Sequence, residues 1–89
     1  MNKFEAKRLQ YYMCNEMKFI RKNKKLSQEE VAYALNITPS YLSRIENGKF
    51  TNTPLFLFLQ LADFYEVSLE KIITIAEKKK ELDDEYNID

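Results

Sequence analysis

Residues 26–49, which read LSQEEVAYALNITPSYLSRIENGK, contain two helix start signals close together. In the first signal, Ser27 and Glu30 have the spacing of a capping box, in which each side chain accepts a hydrogen bond from the other residue's backbone amide. A short helix is therefore predicted over 28–35. Asn36 follows it, and asparagine is the non-glycine residue that best tolerates a left-handed helix end.

The second signal is Thr38 followed by Pro39. Threonine is a favourable cap, and proline suits the first turn of a helix because the amide it lacks would have no partner there. This helix is predicted over 39–47 and ends at Gly48, the only glycine in the chain. Two helices this short are unstable alone, so they must pack on a scaffold that fixes the angle between them.

The rest of the sequence predicts three more helices and no strand. Apolar residues recur at three- and four-residue steps over 4–23, and capping signals precede further helices over 54–65 and 69–78. Glycine occurs once and proline twice, which also favours helix. We predict an all-α, five-helix bundle over 1–76 with an extended first helix, followed by a charged tail over 77–89.

The charges are balanced in total but not in distribution. The chain has 14 basic and 14 acidic residues, yet residues 1–76 carry an excess of three positive charges and 77–89 an excess of three negative ones. A basic block without an acid consists of Lys18, Arg21, Lys22, Lys24 and Lys25. Such a block is either a solvated helix end or an electrostatic contact for a polyanion.

Composition gives little support to catalysis, cofactor binding or a membrane location. The chain has no histidine, no glycine-rich phosphate loop and one cysteine, Cys14, so neither a catalytic centre nor a metal site is indicated. Cys14 is interpreted as a packed thiol. The longest apolar run is too short for a membrane span, which takes about 20 residues. We expect a cytoplasmic protein that is not an enzyme and has no cofactor.

The stretch 17–73, which contains SQEE, SRIENGK and LADFYEVSLEKII, resembles the Cro/C1-type (xenobiotic-response-element) family of bacterial and phage regulators. The resemblance implies a lambda-repressor-like DNA-binding domain with a helix-turn-helix, whose helix over 39–47 enters the major groove. Asn36 and Glu66 stand where the family often has glycine. Pro39 stands where it often has a polar residue that reads a base.

One face of the helix over 39–47 is the predicted reading surface, because it is polar and lies opposite the apolar edge formed by Leu42 and Ile45. The family resemblance implies base contacts by Pro39, Ser40, Ser43 and Arg44. It implies contacts to the DNA backbone by Gln28, Tyr41, Asn47 and Lys49. Arg44 is the first choice for base discrimination, because arginine can donate two hydrogen bonds to guanine. Taken singly, the serines and Lys49 could be ordinary surface residues, and Tyr41 could instead pack on the preceding helix.

Glu46 lies nearer to the apolar edge than to the exposed face, and a carboxylate there needs a partner. Arg21 lies on the core side of the first helix, and family members pair residues at these two positions. We predict an ion pair between Arg21 and Glu46 that orients the reading helix. The alternative is two independently solvated charges.

The helix over 54–65 has more apolar residues than one core requires. The predicted core set is Leu55, Phe58, Leu59, Leu61, Ala62 and Tyr65. The surplus residues, predicted to form a dimer or partner surface, are Phe56, Leu57 and Phe64. We favour a second copy of the chain as the molecule that covers this surface. The alternative is that the N-terminal segment before residue 17 covers it.

Two functions follow from these patterns. The first is a small transcriptional regulator, acting as a homodimeric repressor that binds double-stranded DNA sequence-specifically. The second is a protein-interaction module, such as an antitoxin or an antirepressor-like partner, that keeps the fold but binds protein. Salt dependence separates them, because phosphate contacts weaken steeply as salt rises.

Overall fold

The computed structural model describes residues 1–50 and 52–86, which form five α-helices and no strand. The helices are α1 (Lys3–Asn23), α2 (Gln28–Leu35), α3 (Pro39–Glu46), α4 (Leu55–Phe64) and α5 (Leu69–Tyr86). The predicted all-α, five-helix architecture is therefore confirmed. Among the described helices, none combines the length and apolarity needed to cross a bilayer.

The starts of α2 and α3 have the predicted capping hydrogen bonds. The Glu30 amide donates to Ser27 Oγ at 3.0 Å, and the Ser27 amide donates to Glu30 Oε1 at 2.9 Å. These hydrogen bonds from Ser27 lower the pKa of the Glu30 carboxyl. Asn36 adopts a left-handed conformation with φ 57°, and Thr38 Oγ1 accepts from the Tyr41 amide at 3.0 Å. The chain can therefore turn sharply between two helices that start and stop cleanly.

The turn between α2 and α3 sits over the hydrophobic core. Val31, Ala32, Leu42 and Ile45 from the two helices have no solvent exposure. Their inner side packs with buried side chains that include Met17 from α1 and Leu61 from α4. Burial of this apolar edge fixes the orientation of α3, because neither short helix has enough local stability to hold its own position.

α5 continues to Tyr86, beyond the end predicted at 78, because its charged second half pairs with α1. Arg8 Nη1 donates to Asp84 Oδ1 at 2.7 Å, and the Tyr12 hydroxyl donates to Asp83. The hydrogen bond from Arg8 lowers the pKa of Asp84. This contribution to stability is therefore present above the unfolded-state pKa and is lost as the pH falls through the folded-state value.

The predicted core set of α4 is correct at Phe58, Leu61, Ala62 and Tyr65 but wrong at three other positions. Leu57 is buried, whereas Leu55 and Leu59, assigned to the core, are exposed. The inward stripe consists of Leu57, Phe58, Leu61, Ala62 and Tyr65. These positions recur at helical spacing, so they share a face. The sequence did not define the stripe because α4 is apolar nearly all round.

Tyr65, the last member of this stripe, has a buried hydroxyl with no hydrogen-bond partner among the described residues. Its side chain is 1% exposed. Burial raises the pKa of this hydroxyl, and the nearby Glu46 carboxylate raises it further. A buried hydroxyl without a partner loses its hydrogen bonds to water on folding and gains none in return.

Replacing Tyr65 by phenylalanine should therefore raise the free energy of unfolding, by about 1 kcal/mol. The substitution keeps the ring that packs in the core and removes only the unpartnered oxygen. Urea denaturation of the two proteins measures the difference. Tyr12→Phe is the matched control, because it removes a hydroxyl that donates to Asp83 and should be neutral or destabilising. A loss of stability in Tyr65→Phe would show that its hydroxyl is hydrogen-bonded in solution.

Candidate nucleic-acid interface

The structure places the predicted base-contacting residues on the outer side of α3. Pro39, Ser40 and Arg44 are exposed and Ser43 is half-buried. Beneath them, the buried edge of the helix is 0% exposed. This arrangement presents the polar face of an 8-residue helix to solvent.

The guanidinium of Arg44 stacks on an aromatic ring that sequence reasoning missed. Its Cζ atom lies 4.7 Å from the centroid of the Phe50 ring, and the Tyr41 ring lies 5.3 Å from the same ring on centroids. Stacking restricts the guanidinium to a plane over the ring while its N–H groups remain able to donate outward. Tyr41 thus packs on Phe50, the ring that lies beneath Arg44.

Asn47 and Lys18 form a polar link at the end of α3. Asn47 Nδ2 donates to the Ser43 carbonyl oxygen at 2.8 Å, and Lys18 Nζ donates to Asn47 Oδ1 at 2.9 Å. The amide of Asn47, predicted to contact the DNA backbone, is therefore engaged within the protein. The link brings one cation of the basic block to the edge of the reading surface.

Arg21 and Glu46 form a buried, bidentate ion pair. Arg21 Nε donates to Glu46 Oε2 at 2.7 Å and Nη2 donates to Oε1 at 3.1 Å, while Nη1 donates to the Leu26 carbonyl oxygen at 2.8 Å. The Glu46 side chain is 0% exposed. The hydrogen bond to Glu46 raises the pKa of Arg21. The pair joins α1 to the last residue of α3.

Gln28 belongs to the same network. Its Nε2 donates to Glu46 Oε1 at 3.0 Å, which the sequence did not predict. A side-chain amide nitrogen carries two hydrogens, so one remains for an outside acceptor such as a phosphate oxygen. The ion pair therefore also positions the residue predicted to contact the DNA backbone.

Exposed cations lie at the end of α1 and just after α3. In the part of the chain that the structure describes, no acidic group pairs with Lys22, Lys24, Lys25 or Lys49. Asp84 of α5 instead pairs with Arg8 of α1, and Lys79 of α5 pairs with Glu16 of α1. The neutral net charge of the chain thus conceals unpaired cations at the end of α1 and just after α3.

α4 presents apolar side chains to solvent, and we call this set the α4 apolar surface: Leu55, Phe56, Leu59 and Phe64. Phe56 is 70% exposed and Phe64 38%. Leu57, predicted to belong here, points into the core instead. An exposed patch of large apolar residues is typical of a surface that another molecule covers.

Comparison with known protein families agrees with this geometry. A family model described as helix-turn-helix matches residues 17–72, which is 56 of the 89 residues. The matched region contains the ion pair, α2, α3 and Phe50, whereas residues 3–16 of α1 precede it. No curated protein matches the chain.

Proposed function

We propose, from the premise that the chain belongs to the helix-turn-helix family of DNA-binding regulators, that it is a sequence-specific transcriptional repressor acting as a homodimer. The observation that carries the proposal is the exposed Arg44, stacked on Phe50 above a fully buried helix edge. Within the family, the sequence SRIENGK favours the Cro/C1-type (xenobiotic-response-element) group. Such a repressor acts in the cytoplasm of a bacterial cell, where the genome lies.

In this proposal α3 lies in the major groove, which is wide enough for one helix. Arg44 donates two hydrogen bonds to the edge of a guanine. Ser40 and Ser43 accept or donate to neighbouring base edges, and the Pro39 ring makes apolar contact with a thymine methyl group. The Arg44 contact discriminates most strongly because the bidentate geometry fits guanine alone.

Contacts to the DNA backbone set the position of α3 without selecting sequence. Gln28 offers its second amide hydrogen to a phosphate at the start of α2, where helix-terminal amides also attract anions. Lys49 contacts the backbone beyond the C-terminal end of α3, and Tyr41 contacts it through its hydroxyl beside the helix. Asn47 contacts it after releasing its internal hydrogen bond to Ser43. The exposed lysines of the basic block add charge that attracts the duplex from further away.

The α4 apolar surface forms the two-fold interface of the proposed dimer. A second copy covers it symmetrically, since a two-fold interface places the same patch on both subunits. The two α3 helices then lie about one DNA turn apart, roughly 34 Å, and the DNA site is a pseudo-palindrome. The exposed phenylalanines and leucines of the α4 apolar surface supply the apolar area that such an interface requires.

Selection of bound sequences from random double-stranded DNA, followed by a salt titration, tests the function. We expect a pseudo-palindromic site and a fall in log affinity against log salt with a slope of about −0.9 for each phosphate neutralised. Failure to retain any DNA at low salt would contradict the proposal. If the chain then bound a protein partner through the α4 apolar surface, it would be an interaction module that retains the fold.

Replacing Phe56 by glutamate should convert the dimer into a monomer, because burying the introduced charge in an apolar interface is strongly unfavourable. Sedimentation equilibrium measures the change. Phe56 is 70% exposed in the single chain, so the variant should still fold. Tyr33→Glu is the matched control, since Tyr33 is a 90% exposed aromatic residue on α2 and should leave the dimer intact. An unchanged dimer in Phe56→Glu would exclude the α4 apolar surface as the interface.

A further inference from the structure

A groove of about 480 Å³ lies between the first half of α1 and the segment that follows α3. We call it the α1 groove, and its lining includes Phe4, Lys7 and Tyr11 from α1 together with Lys49 and Phe50. The α1 side of the groove precedes the family match over 17–72. The groove is therefore an addition of this chain to the common helix-turn-helix domain.

The groove is positively charged and aromatic. None of its lining residues is acidic. In the described parts of the chain, Lys7 and Lys49 have no acidic partner, whereas the third cation in the lining, Arg8, is paired with Asp84. Phe4 is 68% exposed, and the Tyr11 ring is also open to solvent. Two unpaired cations beside open aromatic rings suit the backbone of a DNA strand, whose phosphate is attracted to lysine and whose sugar packs on a ring.

The groove begins where the reading surface ends. Phe50 supports Arg44 on that surface and also lines the groove. α1 lies directly against the turn after α3. The approach is so close that a Cβ atom added to Gly48 would lie only 2.5 Å from Tyr11 Cδ1. Gly48 itself has φ 65°, so the turn needs glycine both for its backbone and for this close approach. The groove therefore adjoins the end of the reading surface at Lys49.

We propose that the α1 groove binds a nucleotide of the DNA strand flanking the site read by α3. Its phosphate lies between Lys7 and Lys49, and its sugar lies against Tyr11 and Phe4. The volume of the groove is in the range of sites that hold small ligands, about 300–1,000 Å³. This inference rests on the proposed function and extends its footprint, so that α1 adds affinity beyond the base pairs that α3 contacts.

Two duplexes test the proposal with the full chain. The short duplex holds only the selected palindrome, and the long one adds about half a helical turn, roughly five base pairs, at each end. The wild type should bind the long duplex more tightly and with a steeper salt dependence. Lys7→Ala should abolish this gain, lowering affinity for the long duplex about tenfold at 0.2 M salt while leaving the short duplex unaffected. Phe4→Ala, at an exposed residue, should reduce the gain without changing the salt slope.

Lys71→Ala is the matched control, because Lys71 is an exposed lysine of α5 outside the groove and should keep the full gain. Equal affinity of the wild type for the two duplexes, or an undiminished gain in both Lys7→Ala and Phe4→Ala, would overturn the proposal while leaving the DNA-binding function intact. Failure to bind even the short duplex would overturn both.

Tyrosine fluorescence with free thymidine 5′-monophosphate provides a second experiment. Saturable binding that Lys7→Ala removes, with both duplexes bound equally, would assign the groove to a free nucleotide and overturn the strand proposal.

Discussion

Replacing Glu46 by alanine should lower the free energy of unfolding by about 3–5 kcal/mol. The substitution removes the partner of Arg21, whose guanidinium is largely buried and makes two hydrogen bonds to the carboxylate. It also takes away the acceptor of the Gln28 amide. A buried cation left without its counter-charge cannot recover its hydration, so the loss exceeds the intrinsic strength of the pair.

Thermal and urea denaturation measure this effect. For a domain of this size, the loss corresponds to a fall in melting temperature of about 12–40 °C. The double variant Arg21→Met, Glu46→Leu is the control, because it leaves neither charge buried and should lie near wild-type stability. A melting temperature of Glu46→Ala equal to that of the wild type would show that the pair is unimportant for folding.

The double variant also separates stability from orientation. If the ion pair positions α3 and Gln28, this variant should fold and yet bind the selected DNA site more weakly than the wild type. The reason is geometric: Glu46 is the last residue of α3, and Gln28 reaches its position through the same carboxylate. Equal DNA affinity would restrict the pair to a role in stability.

The parts of the fold that depend on neighbouring residues followed from the sequence. The capping box at Ser27 and the threonine cap with Pro39 are local, so their spacing alone predicts where α2 and α3 begin. The exposed face of α3 follows from the same spacing, because Leu42 and Ile45 define the buried edge. Within that face, the position of Arg44 was predictable.

The parts that depend on tertiary packing did not follow. α4 is apolar on most of its circumference, so its pattern did not indicate that Leu57 faces the core and Leu59 faces solvent. The continuation of α5 depends on partners in α1, more than 60 residues away in the sequence. Phe50 follows the helix end with no periodic relation to α3, and its contact with Arg44 requires the turn at Gly48. Only the proximity of an aromatic residue to the reading helix could have suggested it.

Replacing Arg44 by alanine should remove most of the discrimination between the selected DNA site and random DNA. A bidentate arginine–guanine contact contributes about 1–3 kcal/mol, and a dimer on a palindrome makes it twice. The specific affinity should therefore fall by about 30-fold to 25,000-fold, which corresponds to about 2–6 kcal/mol. Fluorescence anisotropy with the selected duplex and a scrambled duplex, at one salt concentration, measures the ratio.

Two further variants identify which property of Arg44 matters. Arg44→Lys keeps the charge but loses the planar fork, so it should retain the salt dependence and still lose specificity. Phe50→Leu keeps an apolar contact but removes the stacking surface, so it should reduce specificity by a smaller factor without changing the salt slope. Because Arg44 is exposed, none of the Arg44 variants should alter the melting temperature appreciably. If Arg44→Ala preserved the ratio of specific to non-specific affinity, another residue of the α3 face would have to read the guanine, and the stacking on Phe50 would have only a packing role.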